Sequence, residues 1–124
     1  MERVLSLNSS NWEEEVLKSD ILTLVEFWHD KCPWCTKLAP IMDELSEEYR
    51  GKLKFSKLNV LENAENKRVA FRYGVMGTPT LVLFCEGRPV ETIVGFKPKE
   101  DLRKTLDDIV RTHGECLRQS TEFK

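Results

Sequence analysis

The sequence has no strong excess of charge of either sign. Its 124 residues include 19 lysines and arginines and 21 aspartates and glutamates, which give a formal net charge of -2. Proteins that bind nucleic acid neutralise its phosphates with a basic surface, and this composition offers no overall basic field. We therefore expect no nucleic-acid partner.

Long hydrophobic runs are also absent. The stretch from Met1 to Asp20 contains no unbroken apolar segment that could form the core of a signal peptide. Nothing later in the chain approaches the roughly 20 apolar residues that a transmembrane helix needs. We therefore expect no membrane partner and a cytoplasmic location.

Cysteine is scarce, with four residues at positions 32, 35, 85 and 116. They are too few and too unevenly spaced for the disulfide framework of a small secreted protein. No metal site is expected, because Cys85 and Cys116 form no second close pair and the two histidines lack the spacing of zinc ligands. Cys85 is expected to act as a small hydrophobic residue at a strand end. Only Cys32 and Cys35 are close enough in sequence to act together.

What the chain does have is the composition of one soluble globular domain. Hydrophobic residues make up 40% and charged residues 32%, and the length suits a single core. We expect a monomer, with Trp12 and Trp28 in its core and Trp34 at its surface. The apolar spacing changes several times between strand-like runs and helical periodicity, which predicts an α/β fold.

Two neighbouring segments place the cysteine pair. The nearly continuous apolar run from Ile21 to Trp28 is typical of a central strand buried on both faces, and Glu26 is its only ionisable residue. From Pro33 the apolar residues follow helical spacing until Gly51, so a helix is predicted to begin at the cysteines. The other predicted elements are strands at about 3–7, 54–60, 80–84 and 90–94, a first helix between Asn8-Ser9-Ser10 and Asp20, a helix at about 62–73 and a last helix from about Pro98.

The Cys-x-x-Cys spacing at a strand-to-helix junction predicts redox chemistry. Two thiols so placed can close a small disulfide ring and reopen it by thiolate exchange. Cys32 would lie at the helix N-terminus, where free N–H groups and the helix dipole lower a thiol pKa below about 8.5. Cys32 is therefore the candidate nucleophile, and Cys35 is the candidate thiol that resolves the mixed disulfide.

The order of these motifs resembles that of the thioredoxin family over residues 1–111, and 112–124 are predicted to be a helix end and a polar tail. The matching segments are Phe27-Trp28, Cys32-Pro33-Trp34-Cys35, Pro40, Lys57, Gly77-Thr78-Pro79-Thr80 and Gly95. The resemblance implies a thioredoxin fold, with a mixed sheet of about five strands and helices on both faces. It also implies an enzyme that reduces protein disulfides and is recycled by a thioredoxin reductase. No bound cofactor is expected besides the redox-active disulfide.

The resemblance also implies roles for residues away from the cysteines. A cis peptide bond is expected before Pro79, which would face the dithiol and hold an extended substrate chain. An apolar docking surface is expected around the nucleophile, formed by Trp34, Met76, Thr78, Val94, Gly95 and Phe96. Glu26 occupies the position of a buried acid that accepts the proton of Cys35, and burial should raise its pKa. Lys57 on the neighbouring strand should offset that rise.

Several residues depart from the family pattern. Pro33 and Trp34 replace the usual Gly-Pro between the cysteines, and His29 lies where a small residue is usual. We expect these three residues to tune the redox behaviour of Cys32. Leu61 replaces a common aspartate, and residues 62–73 form a slightly longer stretch than usual.

Two other functions fit parts of the pattern. A glutaredoxin-like, glutathione-dependent oxidoreductase also carries proline after its first cysteine, but the glycine pair expected after the cis-proline strand is missing here. A non-catalytic binding module could keep the fold and use the groove only for docking. The presence of both cysteines argues against that second alternative.

Overall fold

The computed structural model describes residues 4–113. Its strands are β1 (Val4–Leu7), β2 (Thr23–Trp28), β3 (Lys54–Asn59), β4 (Thr80–Cys85) and β5 (Arg88–Val94), and its α-helices are α1 (Pro33–Glu48), α2 (Ala64–Arg72) and α3 (Lys99–His113). The strands form one sheet in the order β1-β3-β2-β4-β5. β3 is parallel to β1 and β2, whereas β4 is antiparallel to β2 and β5. The predicted mixed sheet of five strands is confirmed.

Helices cover both faces of this sheet and form two apolar cores. One core packs α1 and α3 against the sheet through residues such as Leu38 and Leu106. The other packs α2 and the segment around Trp12 against the opposite face, where Phe27 is fully buried. β2 lies at the centre of the sheet with cores on both sides, which explains its nearly continuous apolar sequence.

The first predicted helix is much shorter than expected. Only a π-helical turn, Glu13–Leu17, is present between β1 and β2. The Oδ1 atom of Asn8 accepts hydrogen bonds from the backbone N–H groups of Ser10 (2.8 Å) and Asn11 (3.2 Å). A side-chain oxygen that accepts from the N–H groups two and three residues later is typical of a helix N-cap, so Asn8 caps the turn that leads into Glu13–Leu17.

Two predicted features lie outside or at the edge of the described residues. Cys116 and the predicted polar tail lie outside them, and the domain boundary at residue 111 stays a prediction.

Cys85 is partly buried at the end of β4 and packs against the core on the α1 side. No helix between residues 4 and 113 is long and apolar enough to cross a membrane.

Candidate active site

The start of α1 positions the two cysteines. β2 ends at Trp28, and after a short turn Cys32 forms the N-cap of α1 while Pro33 occupies its first turn. Proline suits this position because it lacks the N–H group that a helix start cannot satisfy. Cys32 and Cys35 form a disulfide, with their Cα atoms 5.2 Å apart. The cysteine pair therefore lies at the junction between the central strand β2 and helix α1.

The backbone of the first turn provides a hydrogen bond for the sulfur of Cys32. The backbone N–H of Cys35 donates to the Cys32 Sγ atom at 3.1 Å. The positive end of the helix dipole lies at the same place. Both effects favour a thiolate once the disulfide is reduced, because they stabilise negative charge on this sulfur. The two cysteines are therefore chemically unequal.

A cavity of about 250 Å³ lies beneath the dithiol. Its walls include Glu26, Trp28, Asp30, Cys35, Asp43 and Lys57, whereas Cys32 is not among them. Glu26 and Lys57 are direct partners in the pairing of β2 with β3. The cavity therefore connects a carboxylate and an amine with the second cysteine of the motif and not with the first.

Glu26 is an acid in an unfavourable environment for charge. The residue is 4% exposed, and this burial is the main reason why its pKa is raised from 4.5 to about 7. Lys57 opposes the rise and Asp43 on α1 adds to it. The Lys57 Nζ atom also lies 5.1 Å from the centre of the Trp28 ring, a cation–π distance that helps to hold it in the cavity. A carboxyl group with a pKa near neutrality can both accept and release a proton under physiological conditions.

The cis peptide bond expected before Pro79 is present between Thr78 and Pro79. The carbonyl oxygen of Pro79 accepts a hydrogen bond from the N–H of Gly95 at 2.8 Å. Gly95 has a φ of +88°, a conformation that favours glycine. This hydrogen bond brings the end of β5 beside the cis-proline segment.

Large apolar side chains are exposed around these segments. Trp34 is 53% exposed, Met76 91% and Val94 68%. The rings of Trp34 and Phe96 are 5.2 Å apart, so part of this surface is a fixed aromatic pair. Thr78 lies outside the strands, and its backbone forms no backbone–backbone hydrogen bond with any described residue. The backbone of Thr78 is therefore accessible to an extended partner chain. Trp34, Met76 and Val94 thus expose apolar surface near the cis-proline, and the use of this surface for docking stays a prediction.

Known proteins match this chain along nearly the whole described region. A family model described as Thioredoxin matches residues 3–108. The chain belongs to the thioredoxin family. It is 39% identical over 107 residues to Thioredoxin 1 of Nostoc sp., covering 86% of this chain and 97% of that one, and 40% identical over 106 residues to the Thioredoxin of Pseudomonas aeruginosa, covering 86% and 95%. Thioredoxin M4, chloroplastic, of Arabidopsis thaliana is 39% identical over 104 residues, which cover 84% of this chain and 52% of the plant protein.

As a member of the thioredoxin family with its cysteine pair bonded at the helix start, the chain is a protein-disulfide oxidoreductase. The thioredoxin relatives favour this function over the glutaredoxin-like and non-catalytic alternatives. Between Val4 and His113, no three His, Cys, Asp or Glu side chains are grouped so that they could hold a metal ion. The cysteine pair itself is the redox group.

The thioredoxin-fold site also contains residues that the sequence analysis did not single out. Asp43 faces the cavity of Cys35 because it lies eight residues further along α1, which is slightly more than two helical turns. Phe71 is 64% exposed on α2, although the neighbouring Val69 and Ala70 are buried. The helical spacing of the buried positions on α2 could have identified Phe71 as exposed, whereas Asp43 reaches the cavity only because α1 packs over β2. His29 lies away from the cavity and accepts a hydrogen bond at Nδ1 from the N–H of Lys31.

Proposed function

We propose that this protein reduces disulfides in other proteins, with Cys32 as the nucleophile and Cys35 as the resolving thiol. The observation that supports this order is the asymmetry of the site. The sulfur of Cys32 receives a backbone N–H at the helix start, whereas Cys35 lines the cavity of Glu26. A nucleophile needs a stabilised thiolate, and a resolving thiol needs a nearby base.

The reaction has two exchange steps. The Cys32 thiolate attacks one sulfur of the substrate disulfide, that S–S bond breaks, and the other substrate sulfur leaves as a thiolate. Cys35 then transfers its proton to the Glu26 carboxylate and attacks the Cys32 sulfur, which releases the second substrate sulfur. Two electrons have passed to the substrate, and the Cys32–Cys35 disulfide remains. Lys57 assists by keeping the pKa of Glu26 from rising further.

Substrate binding is proposed to use the apolar surface and the cis-proline edge. Trp34, Met76, Val94 and Phe96 would cover the apolar flanks of the substrate, while the backbone of Thr78 pairs with an extended chain held by Pro79 and Gly95. Pro33, Trp34 and His29 would tune the dithiol. These roles are supported by the exposure of the side chains and by the unpaired backbone of Thr78.

The cellular setting remains part of the proposal. The oxidised protein would be recycled by a thioredoxin reductase and would serve electron transport and redox homeostasis in the cytoplasm as a monomer. Neither nucleic acid nor a membrane is a proposed partner. The support is the family relationship together with the balanced charge of -2.

Substitution of Cys35 by serine should trap the substrate. Cys35→Ser keeps the Cys32 nucleophile but has no thiol to resolve the mixed disulfide, so a covalent adduct should accumulate to about one per protein molecule. Non-reducing gels and intact mass measure the adduct, and addition of a reductant should release it. Cys32→Ser under the same conditions serves as the matched control. Adduct formation on Cys32→Ser, but not on Cys35→Ser, would reverse the proposed order of attack.

The direction of electron flow can be tested by the redox potential of the dithiol. Equilibration with glutathione or dithiothreitol buffers, followed by thiol counting, should give a potential near about -270 mV, which is typical of a reductant. Pro-Trp between the cysteines supplies no cation or imidazole that would stabilise the thiolate as in strong oxidases. A potential near about -120 mV would contradict net reduction and indicate disulfide formation in substrates.

A further inference from the structure

A second apolar groove borders the dithiol site, and the function proposed above does not use most of it. The groove has a volume of about 310 Å³ and is lined by residues from four segments, including His29, Leu61, Lys67, Phe71, Met76 and Thr78. Leu61 is 52% exposed, Phe71 64% and Met76 91%. Contiguous apolar surface that faces solvent often marks a binding site on a soluble protein.

The groove is continuous with the surface proposed to bind the substrate. Met76 and Thr78 belong to both, and Thr78 is bonded directly to the cis-proline. His29, which also lines the groove, lies three residues before Cys32. An extended chain bound along Thr78 advances about 3.3 Å per residue and alternates its side chains between two faces. Residues within about four positions of the substrate cysteine lie within about 13 Å of it along an extended chain, and these are the positions to compare.

The groove also carries a positive charge, on Lys67, that has no ionic partner among residues 4–113. No carboxylate of residues 4–113 forms an ion pair with Lys67, although Arg68, the next residue of α2, pairs with Glu65 at 4.0 Å. Arg72 and Glu62 are exposed nearby on α2 and just before it, but neither lines the groove. An acidic side chain would therefore complement the charge at the apolar groove, and a basic one would be repelled.

We propose that this groove is a selectivity subsite that binds a bulky apolar side chain of the disulfide substrate together with an acidic side chain close to it in sequence. The inference rests on the function proposed above and adds a substrate class to it. Phe71 and Leu61 form the apolar contact, and Lys67 selects the charge. Lys67 and Phe71 lie on α2, and Leu61 lies on the approach to it.

Selectivity can be measured with peptides that differ only at the positions in question. Each peptide carries one cysteine, activated as a mixed disulfide with thionitrobenzoate. Two positions, each one to four residues before or after that cysteine, are varied. One position carries leucine or alanine, and the other carries glutamate or lysine. Cys32 attacks the peptide sulfur, the S–S bond breaks, and thionitrobenzoate leaves with the electron pair as a coloured anion. The second-order rate constants of fully reduced proteins are compared as ratios between peptides, so that differences in overall activity cancel.

For the wild type, we expect leucine to be preferred over alanine by about tenfold at one position, and glutamate over lysine by about fivefold at low ionic strength. Phe71→Ala should reduce the leucine preference to about twofold or less. Lys67→Glu should reverse the charge preference, and added salt should weaken it in both proteins. Ile21→Ala, which shortens an exposed apolar side chain elsewhere, and Lys104→Glu, which makes the same charge change on α3, serve as controls and should keep the wild-type ratios.

The outcomes separate this inference from the function on which it rests. Rapid reaction with every peptide and ratios that stay within twofold in the wild type, Phe71→Ala and Lys67→Glu would overturn the subsite and leave the oxidoreductase intact. Equal changes in Lys104→Glu and Lys67→Glu would also overturn it, because only general charge would then matter. Failure of the wild-type protein to react with any peptide would instead overturn the proposed function, and the subsite with it.

Discussion

Cys32→Ser is expected to lower the rate of protein-disulfide reduction by at least about a thousandfold, a loss typical of removing a nucleophile. A serine at the N-cap of α1 could still accept the backbone N–H that now reaches the sulfur of Cys32 at 3.1 Å. Its hydroxyl is not ionised near neutral pH and cannot form a disulfide. Neither the mixed disulfide nor the transfer of two electrons is then possible.

The measurement is reductant-dependent cleavage of a protein with an accessible disulfide. Wild type and variant are compared in the reduced state, because the variant cannot form the Cys32–Cys35 bond, and circular dichroism confirms that both are folded. Cys85→Ser is the matched control, since Cys85 lies at the end of β4 and lines neither cavity. It should stay within about twofold of wild type. Equal rates for Cys32→Ser and wild type would contradict the catalytic role of the pair.

Local sequence signals predicted the elements that hold the dithiol. The apolar run before the cysteines correctly predicted a buried central strand, and Pro33 correctly predicted the start of α1. Both predictions depend only on residues that are adjacent in the chain. The cis bond before Pro79 followed from the resemblance to the family and is present. Each of these features is encoded within a few consecutive residues.

Features that depend on contacts between distant segments were harder to predict. Asp43 shares a cavity with Glu26 because α1 packs over β2, and no local pattern reports that packing. Trp28 was expected in the core but is partly exposed at the end of β2, where Lys57 covers its ring. The first predicted helix is only a π-helical turn, Glu13–Leu17. For Asp43 and Trp28, contacts between segments that are distant in sequence decided the outcome.

Glu26→Gln is expected to change how the stability of the oxidised protein depends on pH. The pKa of Glu26 is raised to about 7 in the folded protein, mainly by burial, against 4.5 without that environment. A group whose folded pKa is raised contributes stability that is fully present below pH 4.5 and is lost as the pH rises through about 7. Above that range the folded protein must keep a charged carboxylate buried. The difference between the two pKa values corresponds to about 3 kcal/mol.

Glutamine has nearly the same shape and does not titrate, so it removes this dependence without opening a cavity. Between about pH 4 and about pH 9, the free energy of unfolding of Glu26→Gln should gain up to about 3 kcal/mol relative to wild type. Urea unfolding at a series of pH values measures it, and Glu14→Gln, at an exposed position, should run parallel to wild type. Lys57→Met should move the loss of stability to higher pH, because Lys57 now opposes the rise in the pKa of Glu26. Parallel curves for Glu26→Gln and wild type would mean that the buried acid titrates alike in the folded and unfolded states, and its role as a base near neutral pH would then lack support.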